Sequence, residues 1–98
     1  MKELISKQKI KRKKITFYFK SDDASEVYVV GEFNNWKNSA HPMKYNGEGI
    51  WLKSLMLPEG KYEYKFLVNN QWVLDPRNER TCSNCFGTRN NIVNVVII

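Results

Sequence analysis

Between Lys61 and Val68 the side chains alternate without a break: Tyr62, Tyr64, Phe66 and Val68 fall on one parity, Glu63, Lys65 and Leu67 on the other. A period of two fits a strand, whose successive residues point to opposite faces, whereas an amphipathic helix needs a period of 3.6. The same period recurs along the chain. Ile15, Phe17 and Phe19 oppose Thr16, Tyr18 and Lys20; Trp51, Leu55 and Leu57 share a parity within 50–57, which places Trp51 in the core; 26–30, 71–74 and 92–98 read as further strands. Turn formers punctuate them: Asp22-Asp23, Asn34-Asn35, Asn46-Gly47, Pro58-Glu59-Gly60, Asp75-Pro76, and Asn69-Asn70, which suits a two-residue hairpin because asparagine tolerates left-handed backbone. Short strands, regular turns and no helical period predict an all-β antiparallel sandwich. A length of 98 residues suffices for one domain with one modest core.

The formal charge of +6 raises the question of a nucleic-acid partner, and its distribution answers it. Residues 1–14 hold seven basic side chains against one acid, while the body from 15 to 98 is balanced, nine against nine. The reading is therefore a basic flexible tail over 1–14 and a neutral sandwich domain over 15–98, which argues against nucleic acid as the ligand of the body. The tail itself is either a solubilising end or a contact for RNA, phosphate-rich polymer or an acidic protein. No apolar run approaches membrane-spanning length and no apolar h-region follows the basic residues, so no membrane span and no signal peptide are expected. The expected location is cytoplasmic.

Two tryptophans are not placed like central core residues. Trp36 follows Phe33-Asn34-Asn35 and Trp72 lies just past the Asn69-Asn70 turn. Either ring can close as a lid over the sandwich end, since large aromatics are usually mostly buried, or lie open as a flat platform. Their neighbours favour the platform: Lys65 is on the outward parity near Trp72, and the loop before the last strand offers Thr88, Asn90 and Asn91. A glucose ring presents weakly positive axial C–H groups on its faces and hydroxyls at its rim. An aromatic face is electron-rich, so the two stack, while lysine donates to the rim and asparagine both donates and accepts.

Four segments carry a stronger signal together than singly: Glu26-Val-Tyr-Val-Val-Gly-Glu-Phe-Asn-Asn-Trp36, Leu57-Pro-Glu-Gly-Lys-Tyr-Glu-Tyr-Lys-Phe66, Asn70-Gln-Trp-Val-Leu-Asp-Pro76 and Gly87-Thr-Arg-Asn-Asn91. In this order and spacing they closely resemble carbohydrate-binding module family 48, and within it the glycogen-binding domains of AMP-activated protein kinase β subunits. The resemblance covers about 15–96. It implies an immunoglobulin-like, early-set sandwich that binds α-1,4-linked glucans such as glycogen, starch or maltooligosaccharides without catalysis. By matching motif, the family's stacking tryptophans fall on Trp36 and Trp72, its hydroxyl-contacting lysine on Lys65, and its ligand-side loop on Phe86, Thr88 and Asn90. Phe86 departs from the leucine usual there, which leaves the preferred glucan length or branching open. No glycoside hydrolase or transferase sequence accompanies the module, so the expected partners are an α-glucan and a glycogen or starch enzyme on another chain. The alternative is a protein-interaction module that docks onto a glycogen-metabolism enzyme or kinase.

Cys82-Ser-Asn-Cys85 has the C-x-x-C spacing, yet structural zinc wants four ligands and the only other plausible one is the sequence-remote His41. Free thiols in a turn are the expectation, outside the binding site, and no cofactor or metal is called for. Glycoside hydrolysis needs two carboxylates flanking the scissile bond. Asp22, Asp23, Glu48, Glu59 and Asp75 fall mostly in turns and read as solvated surface, and His41 has no identifiable nucleophile beside it, so no catalysis is expected.

Overall fold

A computed structural model describes residues 10–98 of the chain. Eight strands and one short 3₁₀ helix follow one another: β1 (Arg12–Lys20), β2 (Val27–Gly31), the 3₁₀ helix (Glu32–Asn34), β3 (Lys44–Tyr45), β4 (Ile50–Pro58), β5 (Gly60–Val68), β6 (Gln71–Val73), β7 (Thr81–Ser83) and β8 (Arg89–Val95). One sheet has the order β1-β4-β3 and the other β2-β5-β8-β7, with β6 also paired to β5, and every pairing is antiparallel. The inner faces of both sheets supply one core: Phe17, Trp51, Leu55 and Leu57 from the first, Val27, Val29, Tyr64, Phe66 and Val95 from the second. This is an all-β, immunoglobulin-like antiparallel sandwich. Trp51 is buried in it as the strand parity predicts, with its indole N–H donating to the Ser21 carbonyl at 3.1 Å. Among the described residues no helix is long and apolar enough to cross a membrane.

The alternating run of β5 is the centre of the second sheet. On one edge it pairs with β2 over Tyr64–Val68; on the other edge it pairs with β8 over Gly60–Tyr64 and then with β6 over Phe66–Val68. Lys65 falls at the junction between those two neighbours, on the outer face. The hairpin from β5 to β6 turns through Asn69 (φ 47) and Asn70 (φ 69), two successive left-handed residues as a tight hairpin of this hand requires. Asn69 also accepts the backbone N–H groups of Ser25 and Glu26 at 2.8 and 3.1 Å, so the same turn anchors the start of β2.

Several expectations are corrected. β1 begins at Arg12, so three basic residues assigned to the tail belong to the sheet, with Arg12, Lys13 and Lys14 opposite Pro58, Leu57 and Met56; a cationic strand is compatible with an exposed sheet margin, where side chains stay in water. Of the rest of the assigned tail, Ile10 and Lys11 are exposed and precede the strand, and residues 1–9 lie outside the described residues. β8 begins at Arg89 and not Ile92, because the short β7 pairs with Arg89–Asn91, and a three-residue strand of Thr-Cys-Ser carries no apolar alternation to announce it. β3 is equally short. Asp75 is not solvated surface: it is buried, accepting the Tyr64 hydroxyl at 2.7 Å and the Arg77 N–H at 2.9 Å. Burial pushes the Tyr64 phenol well above its ordinary range, so it remains a donor to that carboxylate.

Candidate functional site

Trp36 is placed by the segment that ends β2. Gly31 passes so close to β5 that a Cβ there would collide with the Glu63 carbonyl oxygen and lie 2.7 Å from the Tyr64 Cβ. The 3₁₀ helix that follows is pinned at both ends. Phe33 sits among aromatic rings of the core, its centroid 5.5 Å from that of Phe17 and 6.1 Å from that of Tyr62, and the Glu32 carboxylate accepts the Glu63 N–H at 2.8 Å. Asn35 and Trp36 then both adopt left-handed backbone, φ 57 and 58, and the Trp36 N–H closes on the Gly31 carbonyl at 2.9 Å. A tryptophan in this region costs of the order of 1 kcal/mol, so the surrounding hydrogen bonds hold the ring where it would not go unaided.

Asn34 and His41 complete that brace. The Asn34 Oδ1 accepts the Gly31 N–H at 3.0 Å, which turns its Nδ2 toward the Val29 carbonyl at 3.1 Å and His41 Nδ1 at 2.9 Å. His41 Nδ1 must therefore be the unprotonated nitrogen. Partial burial, and secondarily the positive charge of Lys53, lower its pKa from 6.5, in keeping with a neutral ring.

Trp72 comes from β6, directly opposite Leu67 of β5, and Val30 of β2 is directly opposite Lys65. Val30 and Leu67 are buried although they point away from the interior cluster. The outer face of this sheet thus has its own apolar floor, with Trp72 standing over part of it. Phe86 projects from the turn between β7 and β8, 85% exposed, ahead of Gly87, whose φ of 83 is the left-handed position that favours glycine.

The structure brings all six predicted residues to one place. Trp36, Lys65, Trp72, Phe86, Thr88 and Asn90 line a single open cavity of about 910 Å³, with Trp36 36% and Trp72 47% exposed. Both indoles border this one cavity and keep part of their surface exposed, against the lid placement. Asn90 is only 6% exposed and belongs to β8, not to a loop. Asn91, expected beside it, points inward: fully buried, it accepts the Asp75 N–H at 2.7 Å and donates to the Asn78 carbonyl at 2.9 Å.

Sequence reasoning missed three lining residues, Glu63, Asn84 and Ser83, and set aside a fourth, Cys85. Glu63 shares the parity of Lys65 and was legible as an outward neighbour. Asn84 carries the spacing of an Asx turn, two residues before the exposed Phe86 and three before Gly87, and this signal was available. Both cysteines are free, but only Cys85 lies in a turn; Cys82 is in β7, where partial burial and the neighbouring Glu63 carboxylate raise its thiol pKa. No group of three or more His, Cys, Asp or Glu side chains suited to a metal ion occurs among the described residues.

An antiparallel sandwich that opens two indoles and a phenyl ring on one face, beside amide, hydroxyl and ammonium groups, has the build of a carbohydrate-binding module. Residues 14–97 match the family described as the glycogen recognition site of AMP-activated protein kinase, and the chain belongs to that family. It is 39% identical over 75 residues to the beta-2 subunit of 5'-AMP-activated protein kinase of Mus musculus, covering 76% of this chain and 27% of the subunit. Against the beta-1 subunit of Sus scrofa the identity is 43% over 70 residues, covering 71% of this chain and 54% of that sequence. The chain thus spans only part of the relatives it matches. In fold it is similar to part of a maltogenic amylase from S. marinus, with a TM-score of 0.68 over 89% of this chain and 14% of the amylase, at 21% identity. The domain is a glucan-binding module.

Proposed function

We propose that Trp36 and Trp72 stack on glucose rings of one α-1,4-linked glucan, that Lys65, Thr88 and Asn90 bind its hydroxyl rim, and that Phe86 packs against the chain from the side. One observation carries this reading: the six side chains converge on one cavity, and both indoles are partly exposed there. An α-1,4-linked glucan curves, and a concave surface with rings at its margins suits a curved chain better than the flat ribbon of a β-1,4 glucan. Lys65 donates, the amide of Asn90 donates and accepts, and the aromatic faces stack on the C–H faces of the sugar. Because the cavity is open and the sugar must lose conformational freedom, the dissociation constant falls on the order of 10 μM to 1 mM.

Glu63 is the single carboxylate among the lining residues, whereas hydrolysis of a glycosidic bond needs two, which supports binding without catalysis. The module works in the cytoplasm, bringing glycogen or a related glucan to an enzyme or kinase. The kinase subunits among its relatives support that reading of the partner.

Titration with maltoheptaose, followed by tryptophan fluorescence or backbone NMR shifts, tests the assignment, with cellohexaose as the control. Saturable shifts with maltoheptaose alone, weakened at least about tenfold by Trp36→Ala or Trp72→Ala, are expected from the loss of one stacked ring. Equal responses to both sugars refute the linkage preference. Full retention of binding by both tryptophan variants refutes the site.

A further inference from the structure

The Asn84 side chain makes four hydrogen bonds, and their directions can be deduced without ambiguity. Backbone N–H groups only donate, so the oxygen of the amide is the atom that faces Phe86 N at 3.0 Å and Thr88 N at 3.1 Å. Its nitrogen must then face Thr88 Oγ1 at 2.8 Å and Asn90 Oδ1 at 2.9 Å. Lys65 Nζ, which can only donate, also approaches Thr88 Oγ1, at 3.1 Å. The Thr88 oxygen therefore accepts twice, and its own proton has nowhere to go but outward into the cavity. The remaining link is fixed in the same way: Asn90 Oδ1 receives Asn84, so Asn90 Nδ2 turns to the Glu63 carboxylate at 2.9 Å.

We propose that Asn84 is a positioning residue that forces the Thr88 hydroxyl to act as a hydrogen-bond donor to the ligand and holds the turn that presents Phe86. The inference rests on the glucan-binding reading given above and deepens it. A free threonine hydroxyl rotates and either donates or accepts, and water satisfies it equally well. Here the rotor is locked before ligand arrives. The site thereby presents a donor of fixed direction, which selects sugar oxygens free to accept and loses little rotational entropy on binding.

Asn84→Asp separates this role from a merely structural one. Aspartate keeps the acceptor that the Phe86 and Thr88 amides need, so the turn persists, but it replaces the donor facing Thr88 Oγ1 with a second acceptor. The Thr88 proton then swings from the ligand onto the carboxylate. At pH 7 maltoheptaose binding by Asn84→Asp is expected to weaken about tenfold, the loss of one well-aligned hydrogen bond and its reversal. As pH falls through the carboxylate range, about 4, the new acid regains a proton and a donor, and the affinity ratio between wild type and variant narrows to about threefold.

The charged groups facing this position are Lys65 on β5, which lowers the pH of the transition, and Glu63 on β5, which raises it. The Cys82 thiol on β7 remains protonated throughout, and the Arg89 guanidinium on β8 is directed to Thr81 and Ser83. All are present in wild type as well, so the ratio isolates the new carboxyl group. Thr88→Val provides the second arm: it removes the hydroxyl, weakens binding about fivefold, and in the same chain reduces the further loss from Asn84→Asp to what the lost bond to Asn90 contributes, so the two losses combine to less than their sum because they share one proton.

A ratio that does not change with pH, or losses from the two substitutions that simply add, overturns the proposal while leaving the tryptophan platform standing. If Asn84→Asp fails to fold, Thr88→Val alone decides, and unchanged affinity overturns it. If wild type gives no saturable response to maltoheptaose, the glucan reading and this inference fall together.

Discussion

Replacing Trp36 by alanine and, separately, by glycine tests whether this ring is present for binding or for stability. With 36% of its surface exposed, the side chain offers about 90 Å² of a full burial near 250 Å². Covering that area with a sugar face at about 25 cal/mol per Å² is worth at most ~2 kcal/mol, so its loss should weaken maltoheptaose binding about tenfold to fortyfold. Stability moves differently. Trp36 is not a member of the interior cluster, and its φ of 58 persists because the Gly31 carbonyl holds its N–H. Alanine inherits the strained backbone; glycine does not. Trp36→Gly should therefore be more stable than Trp36→Ala by ~1 kcal/mol while the two lose the same affinity. Isothermal titration and thermal unfolding of the three proteins read both quantities. A stability order with alanine above glycine refutes the strain argument, and a loss of affinity under threefold in both variants refutes the platform.

Three further outcomes follow from the scaffold beneath the site. Gly31→Ala should destabilise the fold by ~3 kcal/mol, since the new Cβ meets backbone that cannot swing aside; a melting temperature within a degree or two of wild type contradicts the close approach. Asn91→Ala should cost about 2–4 kcal/mol, because it strands the Asp75 N–H and the Asn78 carbonyl in the interior; chemical unfolding measures it, and a change under about 1 kcal/mol refutes the account. The folded His41 has a pKa below its ordinary 6.5, so the unfolded chain takes up the proton first. Stability is then full above pH 6.5 and declines as pH falls toward the folded value. Protonation also removes the acceptor for Asn34, so glucan binding through the Trp36 turn should weaken over the same interval. His41→Ala should flatten that slope, and an unchanged pH profile in the variant refutes the brace.

How far the sequence discloses this molecule depends on the kind of signal each part leaves. The long strands are legible because burial on one face imposes a period of two, and β5 shows it in the apolar and polar side chains from Lys61 to Phe66. The Asn69-Asn70 hairpin is legible because few residues tolerate two successive left-handed positions. β3 and β7 are not legible: two- and three-residue strands at a sheet margin bury too little to select apolar residues. Asp75 reads as a turn residue because Asp-Pro is a turn signal, and nothing local reveals that Tyr64, eleven positions earlier, reaches it across the interior. The two tryptophans proposed to stack are visible as large rings away from central core positions, but the convergence of six side chains on one cavity comes from the pairing of β5 with three neighbours, which a linear reading does not contain.

Asn90 and Asn91 show where the limit lies. They are the same residue type, adjacent, equally polar, and within the same strand, so composition and turn propensity treat them alike. The strand period alone sends them to opposite faces, and register against β5 decides which is which: Asn91 is level with Tyr64, whose ring is in the core, so Asn90 must share the face of Glu63 and Lys65. From that single assignment two different functions follow. Asn91 ties the Asp75–Asn78 loop to the interior, while Asn90 joins the chain of donors running from Lys65 through Thr88 and Asn84 to Glu63. A shift of one residue in β8 would exchange them, leaving an unpaired amide inside and depriving Asn84 of its partner outside. Register, more than the identity of either asparagine, is what converts this segment of polar sequence into part of the proposed binding site.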